Sequence, residues 1–259
     1  MTTTVAIAGA TGRMGQLITR LIDDSPDFEL VASLDSHSAL DDMLAADLVV
    51  DVTVPAVSQG IVDFAVGHGK SVLVGTSGWS ATRIVSLENR LIAEGTGAAV
   101  IIIPNFSIGS VLATSFAAMA ARFYDSIEII ESHHATKVDS PSGTAVRTAE
   151  LIGNARAALG PVIAPHADQR ARGQQVSSVP IHSLRMQGIV AKQDVIFGGT
   201  GETLTLSHET LDPSSYESGI MLALRALGSA TGVLVGLDRL IHLGPADPEP
   251  PAGIPSDLE

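Results

Sequence analysis

The chain has 259 residues, a formal net charge of −13, 45% hydrophobic but only 3% aromatic residues, and no cysteine. The length suits one large domain or two ordinary ones, and the lack of cysteine excludes disulfides, thiolate metal sites and a thiol nucleophile. The acidic surface opposes nucleic acid and anionic lipid, and no signal-peptide pattern or long apolar run is present, so a cytoplasmic protein is expected.

Strands and helices alternate through the first part of the chain. Short apolar strands are predicted at 5–8, 29–35, 48–55, 71–76 and 98–105. Helices are predicted after the first strand and at 58–69 and 82–95. This alternation indicates right-handed βαβ units and a parallel sheet, so residues 1–106 are predicted to form a Rossmann-type α/β domain that binds a dinucleotide.

The pattern changes after residue 105. The predicted elements are a helix at 108–125, a strand at 126–132, a helix at 144–160, a polar loop at 164–180, a strand at 181–188 and a hairpin over 192–209. Residues 107–215 are therefore expected to form a second, α+β domain with an open mixed or antiparallel sheet. The segment 216–244, with a helix at 216–232, is expected to return to the first domain. The proline- and acid-rich end, 245–259, is expected to be a disordered tail.

A glycine-rich turn, GATGRMG, follows the first strand. Its residues before the last glycine are Gly9, Ala10, Thr11, Gly12, Arg13 and Met14. Such a turn lets a pyrophosphate approach the backbone at a helix N-terminus, although its first gap is one residue longer than usual. Asp35 ends the second predicted strand, where a ribose-binding acid is expected. The combination favours dinucleotide binding over a turn that is only structural.

Two later strand ends are predicted to line the same crevice, because ligands of open α/β sheets bind beyond the carboxyl ends of the strands. The first consists of Gly75, Thr76 and Ser77, and the second contains Pro104, Asn105 and Phe106. Each could be an ordinary turn, but small residues there would also admit a nicotinamide ribose.

The stretch ESHHATKVDSPSGTA, 131–145, concentrates positive charge in an acidic chain. His133 and His134 are expected to point in opposite directions from a strand, so that one faces a cleft. Lys137 adds a fixed cation. A structural role is the ordinary explanation for one histidine, but this group is better explained as a site for an anion. No metal is expected, because the chain has neither HExxH nor cysteine.

A helix is predicted to begin just after this stretch, with Pro141 in its first turn and Ser140 or Ser142 as its N-cap. The amides of Gly143 and Thr144, with the threonine hydroxyl, would then form a cradle for an anion. A proton donor, a cation and carboxylate-binding amides together suit the acid-assisted reduction of a small carboxylate-bearing substrate.

The same stretch resembles the signature of the dihydrodipicolinate (4-hydroxy-tetrahydrodipicolinate) reductase family, E-x-H-H-x-x-K-x-D-x-P-S-G-T-A. The segments GATGRMG, VGTSGW (74–79), PNFSIG (104–109) and GETLTLSHE (201–209) are similar to the same family. The resemblance runs from about residue 4 to residue 244. It implies an NADH- or NADPH-dependent reductase of lysine and diaminopimelate biosynthesis that acts on a cyclic dicarboxylate with loss of water, and that forms a homotetramer through its second domain.

The resemblance also implies roles for single residues. His133 would be the acid/base residue and Lys137 a proton donor. Substrate would be held by His134, Ser142, Gly143 and Thr144. Cofactor would be held by Gly9, Ala10, Thr11, Gly12, Arg13, Met14, Asp35, Gly75, Thr76, Ser77, Ile103, Pro104, Asn105 and Phe106.

Some features leave alternatives open. Ser77 and Ser140 replace a more usual threonine and alanine, and Asp35-Ser36 lacks the acid–arginine pair of some members, so the choice between NADH and NADPH stays open. Another small Rossmann dehydrogenase is one alternative. An acylating semialdehyde dehydrogenase would need a cysteine, and a homoserine-type enzyme would not explain the Ser-Gly-Thr cradle. A non-catalytic NAD(P)-binding sensor is the other alternative, but it has no need for both His133 and Lys137.

Overall fold

The computed structural model describes residues 2–241 and contains two sheets. The strands of the first sheet are β1 (Thr3–Ala8), β2 (Phe28–Leu34), β3 (Leu48–Asp51), β4 (Ser71–Val74), β5 (Ala99–Ile102) and β11 (Gly232–Val235). All six are parallel, in the order β11-β5-β4-β3-β1-β2. The prediction of a Rossmann-type parallel sheet is confirmed.

Four helices pack on this sheet: α1 (Arg13–Asp23), α2 (Pro55–Gly67), α3 (Ala81–Glu94) and α6 (Glu217–Leu227). Alternate residues of β1 face different hydrophobic clusters, as the period of two in a strand requires. Val5 and Ile7 pack with α1 and α6, whereas Ala6 and Ala8 pack with α2 and α3. The sheet is therefore buried on both faces, which explains why its strands are continuous apolar runs.

The second sheet is mixed, as predicted. Its strands are β6 (Ser126–His134), β7 (Gln174–Val176), β8 (Val179–Met186), β9 (Ala191–Gly199) and β10 (Glu202–Thr210). Their order is β10-β9-β6-β8-β7; the β6–β8 pair is parallel and the others are antiparallel. Helices α4 (Ile108–Ala120) and α5 (Gly143–Ala155) pack on one face through a small apolar cluster that includes Ile129 and Phe197.

Several predicted boundaries were wrong. The helix predicted at 216–232 ends at Leu227, and residues 232–235 form the edge strand β11, which pairs with β5. The strand predicted at 48–55 stops at Asp51, because Pro55 occupies the first turn of α2. The helix predicted at 108–125 ends at Ala120 and continues only as a 3₁₀ turn. The end of the predicted closing segment and the predicted tail at 245–259 lie outside the described residues.

Candidate active site

A cleft of about 560 Å³ lies where the carboxyl ends of β4 and β5 face the end of β6 and the start of α5. Ligands of open α/β sheets bind at such an edge. The cleft brings together eleven of the residues predicted from the sequence: Arg13, Met14, Gly75, Pro104, Asn105, Phe106, His133, His134, Lys137, Ser142 and Thr144.

The backbone of the glycine turn allows little besides glycine at Gly9 and Gly15, whereas Gly12 is less constrained. Gly9 has a φ of +89°, and a Cβ on Gly15 would overlap the carbonyl oxygen of Gly9. Gly12, the N-cap of α1, has extended backbone, and its added Cβ would lie 3.3 Å from the Gly9 carbonyl oxygen. The amides of the first turn of α1 have no acceptor within the helix. The turn therefore fits a pyrophosphate at Gly12, where a bare backbone leaves room for it.

Asp35 lies directly after β2, on the same edge of the sheet. Its Oδ1 accepts hydrogen bonds from the amide of His37 at 2.8 Å and the hydroxyl of Ser38 at 3.2 Å. The hydrogen bonds from His37 and Ser38 lower the pKa of Asp35, so it is an acceptor at neutral pH. A carboxylate held in this way is suited to accept a hydrogen bond from a ribose hydroxyl.

The remaining nine predicted site residues are not part of the cleft lining. Ile103 is buried in the core of the first sheet, and its amide donates to Val74. Thr76 is also buried, with its hydroxyl on the carbonyl of Asp51. The other predicted residues outside the lining are Gly9, Ala10, Thr11, Gly12, Asp35, Ser77 and Gly143.

A polar group replaces the apolar side chains on the helix-facing side of β6 as the strand approaches the cleft. Ile127 and Ile129 are core residues on this face, and Glu131 and His133 continue the same alternation. Glu131 is fully buried, and its Oε2 lies 2.6 Å from Nδ1 of His133. Burial opposes the charge of Glu131, but hydrogen bonds from His133, Arg185 and Ser183, together with the Arg185 charge, hold its pKa at about 2. Because an ionised carboxylate can only accept a hydrogen bond, Nδ1 of His133 carries a proton. Nε2 is then the ring nitrogen that can exchange a proton with a ligand.

Arg185 of β8 forms a bidentate ion pair with Glu131: its Nη2 lies 2.8 Å from Oε1 and its Nη1 lies 3.0 Å from Oε2. The same guanidinium donates to the carbonyl of Asp139 at 2.6 Å, and Glu131 accepts from the amide of Ser142 at 3.2 Å. This pair therefore ties together the strand that carries His133, the loop after it and the first residues of α5.

Both histidines line the cleft, so the prediction that only one of the two would face it was wrong. β6 ends at His134, and the chain turns there, with the amide of Lys137 bonded to the His134 carbonyl. The alternation of a strand does not extend into this turn. Nδ1 of His134 lies 2.8 Å from the hydroxyl of Thr136.

Lys137 reaches the cleft from the same turn. Its Nζ lies 2.7 Å from Oδ1 of Asp139, and the lysine side chain is 22% exposed, whereas that of Asp139 is 58% exposed. Burial opposes the Asp139 charge, but the hydrogen bond and charge of Lys137 outweigh this effect and lower the pKa of Asp139. The Lys137 ammonium is thus paired with Asp139, a carboxylate that is mostly exposed to solvent.

Ser142 is the N-cap of α5, accepting from the amide of Ala145, and Pro141 precedes the helix instead of lying in its first turn. The amides of Gly143 and Thr144 begin the helix and have no acceptor within it. A Cβ added to Gly143 would meet no atom within 4 Å, so the backbone there is open. This helix start presents two amides and a hydroxyl beside the two histidines and Lys137.

Side chains join the two halves of the cleft. Nδ2 of Asn105, which follows β5, lies 3.0 Å from the hydroxyl of Ser110 and 3.4 Å from that of Thr144. Ser107 bonds Nε2 of His208 at 3.1 Å. Burial lowers the pKa of His208, so it is neutral at physiological pH. The first sheet is thereby linked directly to α5 and to β10.

Sequence reasoning missed Glu131, Arg185, Gln193, His208 and Tyr216. Gln193 of β9 lies opposite Glu131, His208 of β10 lies opposite Gln193, and Tyr216 begins the return to the first sheet. Glu131 had a local signal, because it precedes His133 by two residues and so shares its face of β6, and His208 lies in the family-like segment 201–209. Within residues 2–241, no group of three acidic or histidine side chains is arranged to hold a metal ion. No helix of this part of the chain is long and apolar enough to cross a membrane.

A Rossmann-type sheet joined to a mixed sheet that brings two histidines and a lysine to the shared cleft defines a two-domain NAD(P)-dependent oxidoreductase. The chain matches the family models described as dihydrodipicolinate reductase, N-terminus, over residues 3–106, and dihydrodipicolinate reductase, C-terminus, over residues 109–241. The chain therefore belongs to the dihydrodipicolinate reductase family. It is an oxidoreductase of lysine and diaminopimelate biosynthesis that uses NADH or NADPH.

Individual relatives agree with this assignment. The chain is 70% identical over 243 residues to 4-hydroxy-tetrahydrodipicolinate reductase of Clavibacter michiganensis subsp. michiganensis (strain NCPPB 382), covering 94% of this chain and 87% of that one. The same-named protein of Streptomyces griseus is 42% identical, covering 92% and 98%. A dipicolinate-bound dihydrodipicolinate reductase from Paenisporosarcina sp. TG-14 has a TM-score of 0.77 at 30% identity, covering 93% of this chain and all of that one.

Proposed function

We propose that this cleft reduces 4-hydroxy-tetrahydrodipicolinate to tetrahydrodipicolinate with loss of water, and that His133 and Lys137 are its catalytic residues. The observation that carries the assignment is the convergence of His133, Lys137 and the N-terminus of α5 in one cleft beside the glycine turn. When bound, NADH or NADPH supplies a hydride. The protein supplies the proton and holds the dicarboxylate.

His133 exchanges this proton at Nε2, because Glu131 occupies Nδ1. Lys137 offsets the negative charge of the substrate and is a second proton donor. An incoming carboxylate replaces Asp139 as the partner of Lys137, which is feasible because Asp139 is mostly exposed. The amides of Gly143 and Thr144 take the other oxygens, and His134 and Ser142 complete the substrate contacts.

The cofactor half of the cleft is proposed to be residues 1–106 with the returning segment after residue 215, and the substrate half residues 107–215. In support, α6 shares a core with β1 and α1. The pyrophosphate would lie at Gly12 and the adenosine ribose at Asp35. We infer that both cofactors are used and that NADH is moderately preferred, because Asp35 repels a 2′-phosphate that Arg13 attracts.

We also infer that four chains assemble through the face of the second sheet opposite α4 and α5, and that the enzyme works in the cytoplasm with other biosynthetic enzymes. A depression on this face is lined by Ser126, Glu128, Ile130, His182, Ile196 and Gly198. The two isoleucines in its lining support a surface that another chain covers.

The test is cofactor oxidation with substrate formed in situ from pyruvate and aspartate semialdehyde by the synthase that makes it. Turnover that requires the synthase and this chain is expected. Cofactor binding without turnover would favour the sensor alternative. Turnover with aspartate semialdehyde alone, without the synthase, would favour another Rossmann dehydrogenase.

A further inference from the structure

Two triads of glutamate, arginine and histidine lie on opposite faces of β6. On the cleft face, Glu131 contacts Arg185 and His133. On the other face, Glu128 contacts Arg172 and His182. The two triads have the same composition, but only the first contains a residue that is proposed to react.

The cleft triad is the more deeply buried. Glu131 is fully buried, and the Arg185 side chain is 18% exposed, whereas Glu128 and Arg172 are each 29% exposed. A buried carboxylate stays ionised only if a cation or hydrogen bonds compensate for its lost hydration. Arg185 is the cation in contact with Glu131, and it contacts both carboxylate oxygens.

We propose that Arg185 is a positioning residue for the reaction: by keeping Glu131 ionised and fixed, it holds His133 with Nδ1 protonated and Nε2 available to substrate. This inference rests on the proposed function. Without Arg185, Glu131 would either take up a proton or draw one onto His133. The Glu131–His133 pair would then retain a proton to higher pH, and the histidine would lose its defined tautomer.

Other ionisable groups face this pair and must be accounted for in any pH dependence. They are Arg13 on α1, His134 at the end of β6, Lys137 and Asp139 in the loop after it, Lys192 on β9 and His208 on β10. Arg185 differs from them because it touches the Glu131 carboxylate directly. Its removal therefore changes the pair without removing a group proposed to touch substrate.

The experiment compares Arg185→Met with Arg172→Met, which removes the corresponding arginine from the other triad. For Arg185→Met we expect kcat to fall on the order of 10²-fold, at the lower end of what a positioned acid contributes. The basic limb of its pH–rate profile should move to higher pH, while KM for cofactor stays unchanged. Arg172→Met should keep the wild-type pH profile. Identical profiles for wild type and Arg185→Met would overturn the proposal.

Two further measurements separate positioning from simple loss of structure. Added guanidinium should restore part of kcat to Arg185→Ala, because it can occupy the vacated place beside Glu131. The double variant Glu131→Gln/Arg185→Met leaves no buried charge there, and we expect it to fold and to turn over faster than Arg185→Met. If Arg185→Met does not fold, these two variants carry the test. No rescue of Arg185→Ala by guanidinium, together with no turnover by the folded double variant, would overturn the proposal.

A readout without turnover keeps this inference distinct from the proposed function. Nitrogen NMR of the histidine rings should show His133 protonated at Nδ1 in the wild type, with its signal assigned by a His133→Asn variant. In Arg185→Met we expect that tautomer to be lost. An unchanged tautomer would contradict the positioning role whether or not the chain reduces the proposed substrate.

Discussion

At the scale of single residues, the chemistry depends on how one ring is held. Glu131 engages Nδ1 of His133, so the opposite nitrogen is the one that can exchange a proton with a ligand in the cleft. Lys137 has a different task, because its ammonium must be shared between Asp139 and an anionic ligand. The two residues should therefore fail in different ways when they are replaced.

His133→Ala should lower kcat by roughly 10²–10⁴-fold, which is the usual contribution of a positioned acid, with cofactor affinity near wild type. Lys137→Ala should be at least as harmful and should also raise KM, since it removes a charge that holds a dianion. Steady-state kinetics of both variants check this, with the exposed His68→Ala as control. Wild-type turnover in both variants would remove this stretch from the reaction.

Thr144→Val should weaken inhibition by pyridine-2,6-dicarboxylate, which we expect to compete with substrate. The Thr144 hydroxyl accepts from Asn105, so its own proton is available to a carboxylate oxygen. Deleting one such hydrogen bond should raise Ki about tenfold. Inhibition constants for both proteins provide the measurement. Equal values would exclude Thr144 from the substrate contacts.

Arg13→Ala should lower the affinity for NADPH more than the affinity for NADH. This difference should shrink with added salt, because an exposed ion contact is screened. Asp35→Ala should shift the preference towards NADPH. Dissociation constants for both cofactors at two salt concentrations test this, and Arg20→Ala, on the same helix, is the control. Equal losses for the two cofactors in Arg13→Ala would mean that the arginine serves the shared pyrophosphate or the turn.

At the scale of elements, one buried ion pair joins β6, β8 and the start of α5. Glu131 and Arg185 are 54 positions apart, yet together they contact His133, the Asp139 carbonyl and the Ser142 amide. Removing either partner leaves the other charge buried without compensation, and this costs more than the net value of the pair. The arrangement therefore affects stability as well as the site.

Glu131→Gln should lower the free energy of unfolding by about 3 kcal/mol at neutral pH. Because folding depresses the Glu131 pKa from its ordinary value of 4.5 to about 2, the ionised form stabilises the fold above pH 4.5, and this contribution is lost as pH falls towards 2. The difference between wild type and variant should therefore narrow over that range in urea unfolding.

The matched control is Asp27→Asn, which breaks an ion pair with Arg225 whose side chains are at least half exposed. We expect it to cost less than about 1 kcal/mol. A Glu131→Gln deficit as small as this control, or one that grows as pH falls, would contradict the stabilising role of the buried carboxylate.

At the scale of the whole molecule, the open face of the second sheet is proposed to join four chains. Ile196→Lys places a charge in the depression on this face and should dissociate the assembly. Sedimentation should give a mass near four times 26.7 kDa for the wild type and a smaller multiple for the variant. Ile92→Lys, at an isoleucine that is 80% exposed on α3, should sediment like wild type. A wild-type monomer would contradict the proposed assembly.

The sequence by itself determined the features whose causes are local. The apolar runs and their alternation with helices specify a buried parallel sheet, because strand and helix periods are properties of neighbouring residues. Likewise, the glycine turn and the stretch from Glu131 to Thr144 place a turn, a cap and several charges within a few residues. Eleven of the predicted site residues therefore line one cleft.

Only the tertiary structure decided which distant residues complete the site. Arg185 reaches Glu131 because β8 pairs with β6 in a parallel register, and nothing near either residue encodes that register. His134 lines the cleft because β6 ends at that residue. β11 has only four residues, and it joins the first sheet by pairing with β5. Such contacts depend on how strands pair across long sequence separations. Short-range periodicity indicates which face of a strand a residue occupies, but not which strand lies next to it.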